Sequence, residues 1–179
     1  MSSIPINKVL ERFQSALDKL AQYGKEEIIQ QGRDSSGRVI ASIEGKIVSK
    51  EIGNIIGAIL VADYGLIVDS GVDAKDVPFS GTGGGGRSKY IGALLKWAAI
   101  IKPSLSLQER KSFVFATAYT HKKEGIPSKG SYRFSKNGRR TGWIKYGLED
   151  NIDQFEKDLG LIELVSNSIE TFIVQSVRA

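Results

Sequence analysis

The stretch Glu44-Gly-Lys-Ile-Val-Ser-Lys-Glu-Ile-Gly-Asn-Ile-Ile-Gly-Ala-Ile-Leu-Val61 decides the fold. Ile47 and Val48, then Ile52, Ile55, Ile56, Ile59, Leu60 and Val61, make apolar, mostly β-branched runs broken by Gly45, Gly53 and Gly57. Such runs suit a pleated, half-buried surface, and a turn near Glu51-Ile52-Gly53-Asn54 makes them two antiparallel strands. Upstream the period lengthens. From Asn7 to Gln31, the residues Val9, Leu10, Phe13, Ala16, Leu17, Leu20, Ala21, Ile28 and Ile29 recur at steps of three and four, the stripe of an amphipathic helix. Gly24 is expected to interrupt that helix, and Gly32 to let the chain turn out of it. Asp34 to Arg38 then offers capping residues for a short helical piece with Val39, Ile40 and Ile43 as its apolar face.

Downstream of the strands, Asp63 to Gly71 is a third short element whose type periodicity does not settle. Residues 72–88 hold Pro78 and five glycines between Gly81 and Gly86, the composition of a flexible loop. A helix is predicted over Ser88 to Ile101, burying Tyr90, Ile91, Leu94, Leu95, Trp97, Ala98 and Ile101 and ended by Pro103. Ser106 with Glu109 is a capping box, opening a helix through Phe113, Phe115, Ala116, Ala118 and Tyr119 that Gly125 and Pro127 stop. Residues 128–142 read as a long loop or loose hairpin, and Glu149 to Val177 as a last long helix carrying Ile152, Phe155, Leu159, Ile162, Val165, Ile169, Phe172 and Ile173. Helix, strands, then helices, with no βαβ alternation, predicts one α+β domain over 1–179. Its long N-terminal and C-terminal helices pack on a small antiparallel sheet, with long loops.

Composition narrows the chemistry. At 179 residues with 41% apolar residues, a hydrophobic core is expected. With no cysteine and one histidine, His121, there are no disulfides, thiolate zinc sites or Cys–His nucleophile pairs. The start, Met1-Ser-Ser-Ile-Pro5, lacks a basic segment followed by an apolar one, and no run approaches a membrane span. Gly81-Thr-Gly-Gly-Gly-Gly86-Arg87-Ser88 approaches the phosphate-binding pattern, but arginine stands where the pattern has lysine, and Val77-Pro78-Phe79-Ser80 precedes it instead of a buried strand. A joint or docking arm is the reading. His121 has no carboxylate or nucleophile tied to it by spacing, so a solvated or interface histidine is expected. Tyr64, Tyr119, Trp97 and Trp143 read as core aromatics. No catalytic residue, cofactor or metal ligand is assigned.

Charge is unevenly spread along the last third. Lys122, Lys123, Lys129, Arg133, Lys136, Arg139, Arg140 and Lys145 face a single acid, Glu124, for a net +7. From Glu149 to Ala179 seven acids, beginning with Glu149, Asp150, Asp153, Glu156 and Asp158, outnumber Lys157 and Arg178 for a net −5. The basic block, with Tyr132, Phe134 and Trp143 interleaved, suits contact with a nucleic-acid backbone, because cations neutralise phosphates while aromatics stack. A solvated loop or protein interface is the equal alternative.

Four stretches, in order, resemble the tail-completion or head–tail joining proteins of tailed bacteriophages, which are similar to tail-terminator proteins. They are Asp34 to Ile43; Ala62 to Gly71; Ala116 to Pro127, an alanine-rich helix closing in Lys-Lys-Glu-Gly-Ile-Pro; and Arg140-Thr-Gly-Trp143-Ile144. The glycine loop at 81–86 and the basic insertion at 128–142 depart from the family. The resemblance implies a helix-flanked small sheet and no catalysis. It also implies a homo-oligomeric ring, hexameric or dodecameric, in the virion neck or tail. The ring would join head or portal to tail around the DNA channel, beside connector, portal-adaptor or tail-tube proteins, after assembly in the host cytoplasm. A head-to-tail ring needs two different faces per subunit, and the basic and acidic blocks are the expected pair, with sequence-independent contact to packaged DNA as the other use of the basic one.

Overall fold

The computed structural model describes residues 6–33, 36–51, 54–80 and 88–160. Its elements are α1 (Ile6–Gln30), α2 (Arg38–Ser42), β1 (Glu44–Glu51), β2 (Asn54–Leu60), α3 (Tyr64–Ser70), α4 (Lys89–Ile101), α5 (Leu107–Glu124), α6 (Trp143–Gly147) and α7 (Ile152–Leu159). Short 3-10 turns cover Ala74–Asp76, Lys129–Phe134 and Glu149–Asn151. The fold is α+β, with one two-stranded antiparallel sheet among the described residues. Among the described residues no helix is long and apolar enough to cross a membrane. The chain divides into two compact units, one of residues 1–27, 42–61 and 144–179, the other of 28–41 and 62–143.

In the first unit the hairpin lies on α1. Glu44 pairs with Leu60 and Glu51 with Asn54, with a bulge between Ile47 and Ser49. Alternation turns Gly45 and Ile47 of β1, and Ile55, Gly57 and Ile59 of β2, away from the exposed side. The glycines permit the close approach: a Cβ on Gly45 would stand 2.6 Å from the Leu17 backbone, and one on Gly57 2.6 Å from the Phe13 ring. Ala16, Leu17, Leu20, Ala21 and Ile43 are buried here. A side chain the size of Leu17 or Ile43 contributes about 1.5–3 kcal/mol when fully covered. Phe13 meets Phe155 of α7 edge-on at 6.0 Å, and Arg12 donates to the Gly160 carbonyl at 3.3 Å. Gly24 does not break α1. It is the point where Gly147 of α6 comes against the helix, since a Cβ on Gly147 would lie 2.8 Å from Gly24 Cα.

In the second unit Gly32 turns the chain out of α1 with φ +63°, as the sequence predicts, its N–H donating to Ile29 and that of Arg33 to Ile28. The core of this unit is Val77, Phe79, Ile91, Ala98, Val114 and Ala118, lined by half-buried Tyr90, Leu94, Leu95, Trp97, Phe113 and Ile126. Ser88 caps α4, and Ser106 and Glu109 form the predicted capping box on α5. Trp97 stacks on Phe113. Val72 and Ile126 exchange backbone hydrogen bonds of 2.7 and 2.8 Å, tying the end of α3 to the end of α5.

Asp63 to Gly71, whose type periodicity leaves open, is helical. Two of the aromatics expected in the core are not there: Tyr64 is 40% exposed, because α3 buries only Gly65, and Tyr119 is 57% exposed, because α5 buries Val114 and Ala118 instead. Of the two readings of residues 128–142, the long loop holds: a 3-10 turn and an irregular return occupy them, with no hairpin. The long last helix begins at Ile152, after two short pieces, and α7 closes at Gly160 in the left-handed conformation. The remainder of that predicted helix, 161–177, and the glycine run 81–87 with Arg87 lie outside the described residues, and Val77 to Ser80 enter that run without forming a strand.

Candidate functional site: a pinned basic and aromatic segment

Residues 122–140 of the second unit bring together most of the predicted basic block. Lys122 and Lys123 end α5, and Lys122 Nζ donates to the carbonyls of Lys75 and Val77 at 3.4 and 3.3 Å. Glu124, the block's one acid, accepts the Lys129 N–H at 2.9 Å and so opens the 3-10 turn Lys129–Phe134. From that turn Lys129, Tyr132, Arg133 and Phe134 face solvent, and Phe134 is 60% exposed. The Arg133 guanidinium sits 4.8 Å from the Phe134 ring centre, a cation over an aromatic face.

The return from this turn is bonded along its length. Lys136 N–H donates to the Gln30 carbonyl at 2.7 Å. Asn137 accepts from Ser135 Oγ and the Arg139 N–H, which fixes the bend at Gly138. Arg140 Nη1 donates to the carbonyls of Gln31 and Gly32, each at 2.9 Å. Arg33 runs the other way, its Nη1 donating to the carbonyls of Arg140 and Val68. Gln31 Nε2 donates to Thr141, Gly142 N–H to Asp69, and buried Trp143 Nε1 to Gly65. Helix ends leave carbonyls without internal partners, and here two arginines satisfy them. Burial, then the adjacent Arg140 cation, pushes Arg33 down to about 10, and burial also lowers Arg140. Both remain cationic at neutral pH.

The predicted site residues therefore separate by role. Lys123, Lys129, Arg133 and Lys136 are exposed cations, and Arg139 is half-buried. Arg140 is a clamp on the backbone, not part of a docking face. Lys145 belongs to the first unit, exposed on α6 with its ammonium 5.5 Å from the Tyr146 ring centre. In that unit Glu149, Asp150, Asp153 and Glu156 are exposed, whereas Asp158, 14% exposed, accepts from Lys19 Nζ at 3.0 Å. Asp158 is thus committed inside its own unit and leaves the expected acidic face. His121 is half-buried: its Nδ1 lies 2.7 Å from the Tyr90 hydroxyl, and burial lowers its pKa while raising that of Tyr90 to about 12. Arg33 had no signal in the sequence beyond a basic residue after a glycine. No family model, no curated protein and no solved structure matches this chain.

Proposed function

We propose that the chain is a ring-forming structural subunit in the neck or tail end of a tailed bacteriophage, joining head or portal to tail around the DNA channel. Its partners in this reading are further copies of itself, in a hexameric or dodecameric ring, and adjacent connector, portal-adaptor or tail-tube proteins. Its place is the virion. One observation supports this most: the second stretch is bonded to the fourth, and residues that flank the first and second are bonded to the fourth and third. Val72, next to the second stretch, pairs with Ile126 of the third, and Asp69 and Gly65 accept from Gly142 and Trp143 of the fourth. Arg33, beside the first, reaches Val68 and Arg140. Strings matched by coincidence have no reason to meet in one network. Sedimentation and negative-stain imaging of the purified chain test the proposal: closed rings are expected, and a monomer at every concentration argues against it.

A second reading, a nucleic-acid-binding module, draws on Tyr132 and Phe134 interleaved with Lys129, Arg133 and Lys136 on a backbone already held in place. Tight DNA binding at physiological salt by a strict monomer, weakened by Arg133→Ala and Lys136→Ala together with a shallower salt dependence, favours it over the ring.

A further inference from the structure

The two edges of the hairpin are treated differently. Gln14 of α1 covers the outer edge of β1: its Nε2 donates to the Gly45 carbonyl at 2.8 Å, and its Oε1 accepts the Ile47 N–H at 3.4 Å. β1 also carries Glu44, Lys46, Lys50 and Glu51. Charges and a covered backbone are how proteins keep an edge strand from pairing. β2 has neither. Asn54-Ile-Ile-Gly-Ala-Ile-Leu60 holds no charge and no proline, and among the described residues nothing bonds its other edge. Because Gly45 and Ile47 direct their polar groups away from β2, the ladder alternates so that Ile55, Gly57 and Ile59 direct theirs away from β1. Ile56, 46% exposed, and Leu60 stand on the open side of the sheet.

We infer that the edge of β2 pairs with β2 of a second copy, antiparallel about a two-fold axis at Gly57, giving a four-stranded sheet. The occupant follows from the chain itself. Gln14 occupies the Gly45 carbonyl and the Ile47 N–H of the outer edge of β1, and charged residues line the rest of that strand, so of the two strands described β2 has the open, uncharged edge to offer. Gly57 is the midpoint of Asn54–Leu60, so a two-fold there overlaps the whole strand, with Ile55 opposite Ile59 and Ile56 opposite Ala58 of the partner strand. An uncharged strand meets itself without like-charge contacts. The contact is isologous and goes beyond the phage reading, whose ring needs a separate heterologous face.

Pairing about Gly57 makes Ile56 and Ala58 of the partner strand a non-hydrogen-bonded pair, with Cα atoms about 4.5 Å apart, within the roughly 4.4–6.8 Å that a disulfide spans. The chain has no cysteine of its own. Mixing I56C chains with A58C chains under oxidation is expected to give a covalent dimer. Each variant alone is expected to give little, because like positions lie diagonally, about 7–8 Å apart. This reads the contact whether or not rings form. Equilibrium sedimentation supplies the second arm. The double variant I56K/A58K, which sets lysine against lysine twice, should weaken the dimer about tenfold or more, and I56K/A58E should restore it. Absence of the mixed cross-link, or a dimer indifferent to I56K/A58K, overturns the inference. So does a dimer that disappears when the chain is ended at Gly160, which would make the last nineteen residues the occupant.

Discussion

Replacing Arg140 with alanine should destabilise the protein, while replacing Arg133 or Lys136 should not, although all three belong to one basic run in the sequence. Arg140 gives two hydrogen bonds of 2.9 Å to the carbonyls of Gln31 and Gly32 at the end of α1. A hydrogen bond involving a charged group contributes about 1.5–3 kcal/mol, and Arg140 is only half-buried, so water partly replaces it and the lower figure applies to each. Relief of Arg33, whose cation Arg140 disfavours, offsets a little more. The net loss is about 2–3 kcal/mol, a substantial part of the roughly 5–15 kcal/mol that holds a domain folded. The melting temperature should fall by roughly 4–12 °C if the chain melts as one unit. Arg133 and Lys136 reach solvent and should each stay within about 0.5 kcal/mol of the parent. Urea unfolding followed by tryptophan fluorescence suits the comparison, since buried Trp143 lies three residues beyond Arg140. If Arg140→Ala unfolds at the parent urea concentration, the clamp is not what secures the segment.

Burial lowers the His121 pKa below its ordinary 6.5, so the unfolded chain takes up the proton first as pH falls. Stability present above pH 6.5 should therefore decline as pH drops through 6.5 toward the folded value, and calorimetry across pH 7.5 to 5.5 should find a shallower decline in His121→Gln. Gly92→Ala in α4 should stabilise by about 0.5–1 kcal/mol, because the new methyl meets no atom within 4 Å and alanine is the better helix former; a lower melting temperature would contradict that. Gly45→Ala forces a methyl against the Leu17 backbone, which cannot move aside as a side chain can, so a loss of about 1–3 kcal/mol or more is expected in urea unfolding. An unaltered midpoint would mean that the hairpin does not lie on α1.

Much of the fold was legible because its signals are local. The stripe of α1, the β-branched hairpin, the glycine exit at Gly32 and the capping box at Ser106 each depend on residues within a few positions of one another. Tyr64 misled because the period of so short a helix does not reveal which side is covered. The charge blocks misled for a deeper reason. Arg133 and Arg140 are indistinguishable by composition, yet one is exposed and the other holds backbone more than a hundred residues away. Asp158 looks like its acidic neighbours until Lys19 of α1 is placed beside it. By itself the sequence determined the α+β class, the hairpin and the ends of the main helices. Only the tertiary structure decided which cations are structural, which strand edge Gln14 covers, and where Gly45, Gly57 and Gly147 are needed. Arg140 and Gln14 bond main-chain groups of distant residues, and every residue has a carbonyl, so no side chain at the receiving position marks the partner in advance.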